Sequence, residues 1–291
     1  MNVPALNIKH LQSNRTLPII NPQTTSTIIH PKQENAKVYT FGFAMEYKFW
    51  HDRISGRFDN PLSELLINEE TTPSTSFGFA FNKKIDKNWL LKTGLLYYQR
   101  AQSSQYVLNL PYSIANEIHI GSEYENRFEH SLPTGLGDIN TSLVLSRSVN
   151  SPVKNNENVS IDFSLQHHTN ALSLPLMMSY YLKNTDEGFF IQGGLVCEWI
   201  LKNKIRSIDT ESRHTFVKDK SITVNFNESQ INKINVSAAV GLGFEKEIYK
   251  GFGISASVNY GFALTNTFAT PNYQHKIDQL GLQIMLLKGI H

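Results

Sequence analysis

The chain has 291 residues, 40% of them hydrophobic and 11% aromatic, with a formal net charge of +2. That near balance, with no basic cluster standing out, argues against a nucleic-acid partner, and the single cysteine, Cys197, excludes an internal disulfide or a cysteine-rich metal site. No run of about 18 apolar residues is present, so no helical membrane span is predicted; a membrane barrel escapes that test because alternation dilutes the hydropathy of each strand.

Residues 1–36 carry Pro4, Pro18, Pro22 and Pro31 among Asn, Thr and Gln, and read as a flexible linker. No apolar segment follows a basic start, so this is not a secretory signal peptide. Either an export segment has been removed or the chain is the tail of something longer.

Residues 37–288 contain eight predicted strands, each marked by a period of two. "KVYTFGFAMEYKFW" sets Tyr39, Phe41, Phe43, Met45, Tyr47 and Phe49 against Thr40, Gly42, Ala44 and Glu46. "TSFGFAFNKK" alternates Phe77, Phe79 and Phe81 with Gly78, Ala80 and Asn82. "NWLLKTGLLYYQR" sets Trp89, Leu91, Thr93, Leu95 and Tyr97 against Lys92, Gly94 and Leu96. In "HTNALSLPLMMSYYLK", Leu172, Leu174, Leu176, Met178 and Tyr180 oppose Ser173, Pro175 and Ser179, and Pro175, which has no N–H, predicts a local irregularity. "GFFIQGGLVCEWIL" places Phe189, Ile191, Leu195, Cys197 and Trp199 opposite Gln192, Gly194 and Glu198. The sixth strand alternates Val236, Ala238, Val240, Leu242 and Phe244 with Ser237, Ala239, Gly241, Gly243 and Glu245. The seventh alternates Phe252, Ile254, Ala256, Val258, Tyr260 and Phe262 with Gly253, Ser255, Ser257, Asn259 and Gly261. In "KIDQLGLQIMLL", Leu280, Leu282, Ile284 and Leu286 oppose Gln279, Gly281 and Gln283.

The second face of these strands is small and polar, where an open sheet in water would carry long charged side chains. Gly, Ala and Ser suit a cramped lumen, and bulky apolar residues then point outward, which lipid tolerates and water does not. Val240, Leu242, Ile254, Val258, Leu282 and Ile284 are therefore expected to face lipid. Connections alternate long and short: His51 to Pro73, then "KKIDKN"; Ala101 to Gln166, then "KNTDEG"; Asn203 to Asn232, then "KEIYKG"; and a medium "NTFATPNYQ". That rhythm, with aromatic residues towards strand ends, predicts an all-β fold: an eight-stranded antiparallel up-and-down transmembrane β-barrel with long extracellular loops and short periplasmic turns. An even strand count puts both barrel termini, and the linker, in the periplasm of a bacterial outer membrane.

"FGFAFNKKIDKNWLLKTGLLYYQR", "LSLPLMMSYYL", "GFFIQGGLVCEWIL" and "KGFGISASVNYGFALTN" resemble successive strands of the PorT-like outer-membrane β-barrel family of Bacteroidetes, over roughly Lys37 to Leu287. The resemblance implies this barrel fold, with some members acting in protein secretion, so envelope or secretion-system proteins are the partners it suggests. Related chains can carry the barrel behind a cytoplasmic segment and a membrane helix. The ending "IMLLKGIH" departs from the aromatic last residue common among outer-membrane barrels.

Glu46, Lys92, Glu198 and Glu245 fall on the inward face and are expected to form a polar plug, because an eight-stranded barrel is only wide enough for side chains to fill it. Cys197 is expected to face lipid as a small hydrophobe. His167 and His168, with His119 and His130 before them, read as exposed loop histidines; adjacent residues on a strand point to opposite faces, so the pair cannot chelate one ion. "LPTGLGDIN" lacks the Lys-Ser/Thr of a phosphate loop and reads as a hairpin turn, and no G-x-S-x-G elbow is present. Neither a cofactor nor a metal nor a catalytic residue is expected, and the protein reads as a non-enzymatic binding, docking or secretion-associated component acting through its long loops. The pieces "SQYVLNLPYSI" and "INTSLVLSRSV" predict that the wall continues as a β-extension above the membrane. The alternatives are a soluble lipocalin-like barrel carrying a small apolar ligand, with its faces inverted, and an outer-membrane enzyme.

Overall fold

The computed structural model describes residues 39–56, 66–134, 137–182, 187–212, 214–226, 231–267 and 273–290. The linker expected over residues 1–36 lies outside them. The strands are β1 (Tyr39–Gly56), β2 (Leu66–Thr72), β3 (Ser74–Lys84), β4 (Trp89–Tyr112), β5 (Ile118–Ile120), β6 (Glu123–Thr134) and β7 (Gly137–Ser148). They continue with β8 (Glu157–Tyr181), β9 (Gly188–Ser212), β10 (Asp219–Phe226), β11 (Ile234–Tyr249), β12 (Phe252–Ala263) and β13 (Tyr273–Ile290).

The eight strands expected from alternation form a ring. In chain order β1, β3, β4, β8, β9, β11, β12 and β13 each pair antiparallel with the next, and β13 pairs back onto β1. Closure removes the unpaired edges that an open sheet would leave.

Large apolar side chains stand on the outer wall, as Phe79 (58% exposed), Ile191 (58%) and Leu242 (63%) illustrate. Cross-strand neighbours there stack: Tyr39 on Phe81 and Phe41 on Phe79, each with ring centroids 5.7 Å apart. A lipocalin needs the opposite arrangement. On the inner face the chain is so tightly coiled that a Cβ on Gly42, Gly78 or Gly194 would run into a backbone carbonyl oxygen of the neighbouring strand, of Leu286, Leu95 and Leu176 respectively. Small residues on that face are thus a condition of the barrel's curvature. Opposite Pro175 the β4–β8 ladder is interrupted, its pairs running from Thr93↔Leu176 to Leu96↔Ser173, while β8–β9 pairing passes through Pro175↔Val196 without a shift.

Three strands run far beyond their expected length. β4, β8 and β9 have 24, 25 and 25 residues, and β4 and β8 stay paired up to Tyr112↔Glu157. The segments read as loops are largely strand. His51 to Pro73 holds the end of β1 and all of β2, which pairs with upper β4; Asn203 to Asn232 holds the end of β9 and β10. A second sheet, ordered β10-β7-β6-β5, lies in this upper region. The hairpin read in "LPTGLGDIN" is the β6–β7 connection, with Thr134 paired to Gly137; residues 135–136 lie outside the described residues.

The faces reverse where the ring passes into this extension. Along β8 the outward series Leu172, Leu174, Leu176, Met178 gives way upward to Asn170, His168, Gln166, Ser164 and Asp162. The inward series changes from Ser173 and Ser179 to Leu165, Phe163, Ile161 and Val159, all buried. Tyr106, Leu108, Leu110 and Tyr112 of β4 join them, and Ile139, Leu143 and Leu145 of β7 cover them from the second sheet. Below the reversal the structure is built for an apolar surround; above it, two sheets pack around an apolar core as in a water-soluble sandwich. In β9 the parity itself slips. A bulge at Leu201, between the pairs Ala171↔Ile200 and Asn170↔Lys202, turns Asn203 inward and leaves Lys202, Lys204 and Arg206 exposed outward.

Candidate functional site

Inside the ring all four predicted lumen residues, Glu46, Lys92, Glu198 and Glu245, are buried. They form two groups. Lys48 Nζ lies 3.6 Å from Glu46 Oε2 and 3.5 Å from Glu198 Oε1, so one ammonium holds two carboxylates that come from opposite sides of the ring. Lys92 Nζ lies 3.7 Å from Glu245 Oε2, which also accepts a hydrogen bond of 2.6 Å from the Tyr181 hydroxyl. Gly281 makes room for Glu46, since a Cβ there would collide with its carboxylate. Lys48, which sequence reasoning missed, follows Glu46 at the next inward position of β1.

Each group is closed off by aromatic rings. Lys48 Nζ sits 4.7 Å above the Tyr98 ring and 5.4 Å from Trp50, and the Arg100 guanidinium lies 5.3 Å from the same Trp50 ring. Trp50 is fixed by a 2.9 Å hydrogen bond from Nε1 to Ser74 Oγ. At the other end Lys92 Nζ rests 3.5 Å over Phe190, which packs with Tyr181 and Leu90. Between the two layers Ser179 donates to Gln192 Oε1 at 3.2 Å, and Gln192 in turn donates to Asn259 Oδ1. The remaining cavity, lined by Glu46, Lys48, Lys92, Asn259 and Gln279 among others, is about 50 Å³. That holds a few waters and no organic ligand, whose pockets run to hundreds of Å³.

Above the outer apolar belt lies a second polar layer, made of inward residues at the base of the sandwich. His275 Nε2 is 3.0 Å from Asp52 Oδ1, and Thr71 Oγ1 donates to Asp52 Oδ2 at 2.5 Å. On the outer face beside this layer Arg53 binds Asp278 at 2.6 and 2.8 Å, and Asp278 also accepts from Ala263 N–H at 2.9 Å. Arg100, Gln102, His167 and Thr169 complete the layer, all buried. His167 therefore corrects the reading of exposed loop histidines: it lies on β8 and points inward, while His168 points outward and His119 is exposed. Burial, then the neighbouring positive charge of Arg100, pushes the His167 imidazole down to about 3. It is a neutral polar spacer.

At the far end of the sandwich Arg147 clamps Glu117 in a two-pronged pair, Nε to Oε1 at 2.6 Å and Nη2 to Oε2 at 2.7 Å, and lies 4.6 Å over the Tyr124 ring. This rigidifies a tip on which Ile114, Ile118, Ile120 and Val149 are exposed.

The outward residues singled out from sequence lie on the outer wall: Val240, Leu242, Val258, Leu282 and Ile284 are 40–63% exposed and Ile254 is half-buried. Cys197 is half-buried. Among the described residues no three His, Cys, Asp or Glu side chains are grouped to hold a metal ion.

Among curated proteins none matches the sequence. Among solved structures, the chain is similar to the outer membrane protein OprG from Pseudomonas aeruginosa, with a TM-score of 0.34 and 11% identity over 88% of this chain and 97% of that one. It is also similar to the outer membrane protease OmpT from Escherichia coli (0.30, 9%, covering 88% and 98%) and to Ail, the attachment invasion locus protein of Yersinia pestis (0.27, 10%, covering 86% and 99%). The outer membrane protein beta-barrel domain family matches residues 39–269, a stretch that takes in β1 through β12 and so seven of the eight ring strands, and the chain belongs to that family.

Proposed function

We propose that this outer-membrane barrel is a non-enzymatic docking protein, in which a sealed ring anchors a folded extracellular sandwich that meets an envelope or secretion-system partner. Family membership puts the ring in a bacterial outer membrane and against lipid. The finer reading has both barrel termini in the periplasm, kinship with the PorT-like barrels, and Val240, Leu242, Ile254, Val258, Leu282 and Ile284 in contact with acyl chains. The observation that carries it is the reversal of faces along β4 and β8, which gives the upper half a water-facing surface and its own apolar core. A rigid scaffold with an exposed apolar tip suits binding. The aromatic-capped ion pairs support a ring that is an anchor rather than a conduit.

A photo-crosslinker at Ile118 or Ile120 should give a discrete adduct with an envelope protein in intact cells, while one at Lys87, in the β3–β4 turn, should not. With the crosslinker kept at Ile118, changing Ile114, Ile120 and Val149 to Glu should abolish the adduct and leave heat-resistant folding unchanged. In planar bilayers the purified chain should show no steady conductance. A stable open pore, or adducts indifferent to the Glu substitutions, would overturn the reading.

A further inference from the structure

The outward face of β9 changes character within a few residues. Trp199 and Leu201 are exposed apolar residues at the top of the belt, and Lys202, Lys204 and Arg206 follow, all exposed. The bulge at Leu201 puts the three cations on one face at alternate positions. On the adjoining strand the paired positions are Asn170↔Lys202, His168↔Lys204 and Gln166↔Arg206, polar partners without a carboxylate. Among the described residues none of these three cations is in an ion pair, whereas Arg53 on β1 is tied to Asp278. Outward β4 at this height offers only Gln99, Ala101 and Ser103.

Alternate residues on a strand stand about 7 Å apart, so the ladder from Lys202 to Arg206 covers about 13 Å along the strand, or roughly 10 Å of height at a barrel's tilt. The headgroup layer outside a hydrocarbon core is about 5–8 Å thick. The ladder thus begins where acyl chains end and spans the depth at which headgroup phosphates lie. Three uncompensated cations held there by a β-ladder bind anions strongly because the adjacent apolar medium lowers the local dielectric.

We propose that Lys202, Lys204 and Arg206 form a binding site for the headgroup of an outer-leaflet lipid that carries more than one phosphate, with Trp199 and Leu201 against its acyl chains. The site rests on the outward orientation of the sandwich proposed above. The spacing of the cations matches phosphates at separated positions on one headgroup, and each side chain can donate to a phosphate oxygen.

The test uses the full chain folded in neutral detergent micelles and titrated with bisphosphorylated lipid A. Changing Lys202, Lys204 and Arg206 together to Gln should weaken binding about a hundredfold, roughly fivefold per charge, the worth of one basic residue at an anionic lipid surface. The charge-matched triple of Lys83→Gln, Lys87→Gln and Lys250→Gln, at the opposite end of the ring, should bind as the parent does. Dephosphorylated lipid A should bind about as weakly as the first triple. Equal binding by the two triples, or by the two lipids, would overturn the site. Displacement of lipid A by millimolar inorganic phosphate would identify a soluble-anion site and overturn the lipid assignment. Insertion into neutral phosphatidylcholine vesicles is scored separately: failure there brings down the membrane reading and this site with it, while insertion without lipid discrimination brings down the site alone.

Discussion

Lys48 holds Glu46 and Glu198 at 3.6 and 3.5 Å in a space closed by Tyr98 and Trp50. Distances of that length are ion pairs rather than short hydrogen bonds, so their worth depends on exclusion of water more than on geometry. Changing Lys48 to Met leaves two buried carboxylates facing each other without a counter-charge. The expected cost is about 3–5 kcal/mol, as for removal of one partner from a buried pair, read as a lowered urea midpoint in lipid vesicles. Adding Glu46→Gln and Glu198→Gln should restore most of it; a triple variant no more stable than the single would show that Lys48 acts through packing alone. The carboxylates and Lys92 were legible in the sequence because each interrupts a run of small inward residues. Lys48 was not, because the aromatic cluster Tyr47, Phe49 and Trp50 masks the parity that places it inward.

At the scale of the strand, alternation reveals a wall but not which medium lies on either side of it. The eight ring strands were legible because bulky apolar residues alternate with Gly, Ala and Ser. Upper β8 has equally regular alternation, from Asn158 to Gln166, yet read as loop because its apolar residues lie on the other face and its polar ones are short. In β9 the Leu201 bulge breaks the parity, which also hides the basic ladder: "KNKIR" looks like scattered charge until the strand sorts it. His167 lies where β8 changes face, and its environment gives that junction a pH dependence. Its folded value of about 3 lies below the ordinary value near 6.5. Between the two the unfolded chain takes up a proton that the folded chain refuses. Stability from this group is therefore full above about pH 6.5 and declines as pH falls towards about 3. Hydrogen exchange of the Phe163 and Leu165 amides should accelerate at about pH 4.5 beyond the intrinsic change, and His167→Gln should remove the excess. An unchanged excess in the variant would assign the effect to other groups.

In the whole molecule two kinds of stability meet along continuous strands. The ring relies on closure and on an apolar surround for its outer wall; the sandwich relies on burying Tyr106, Leu108, Phe163, Leu143 and their neighbours away from water. Denaturant weakens burial from water directly, and the ring is additionally held by its lipid or detergent shell. Native-state exchange in rising guanidinium should therefore release the amides of Leu143 to Leu145 and Ile222 to Val224 at a lower concentration than those of Leu282 to Leu286. Coincident release would mean one cooperative unit. The β4–β8 ladder, from Trp89↔Tyr180 to Tyr112↔Glu157, crosses the boundary without a hinge. A load on the tip runs along these strands and falls on many hydrogen bonds in shear at once, rather than peeling them singly. In the docking role proposed above, the chain would serve as a post set in a floor, bearing a mechanical pull from the partner and passing that force into the envelope.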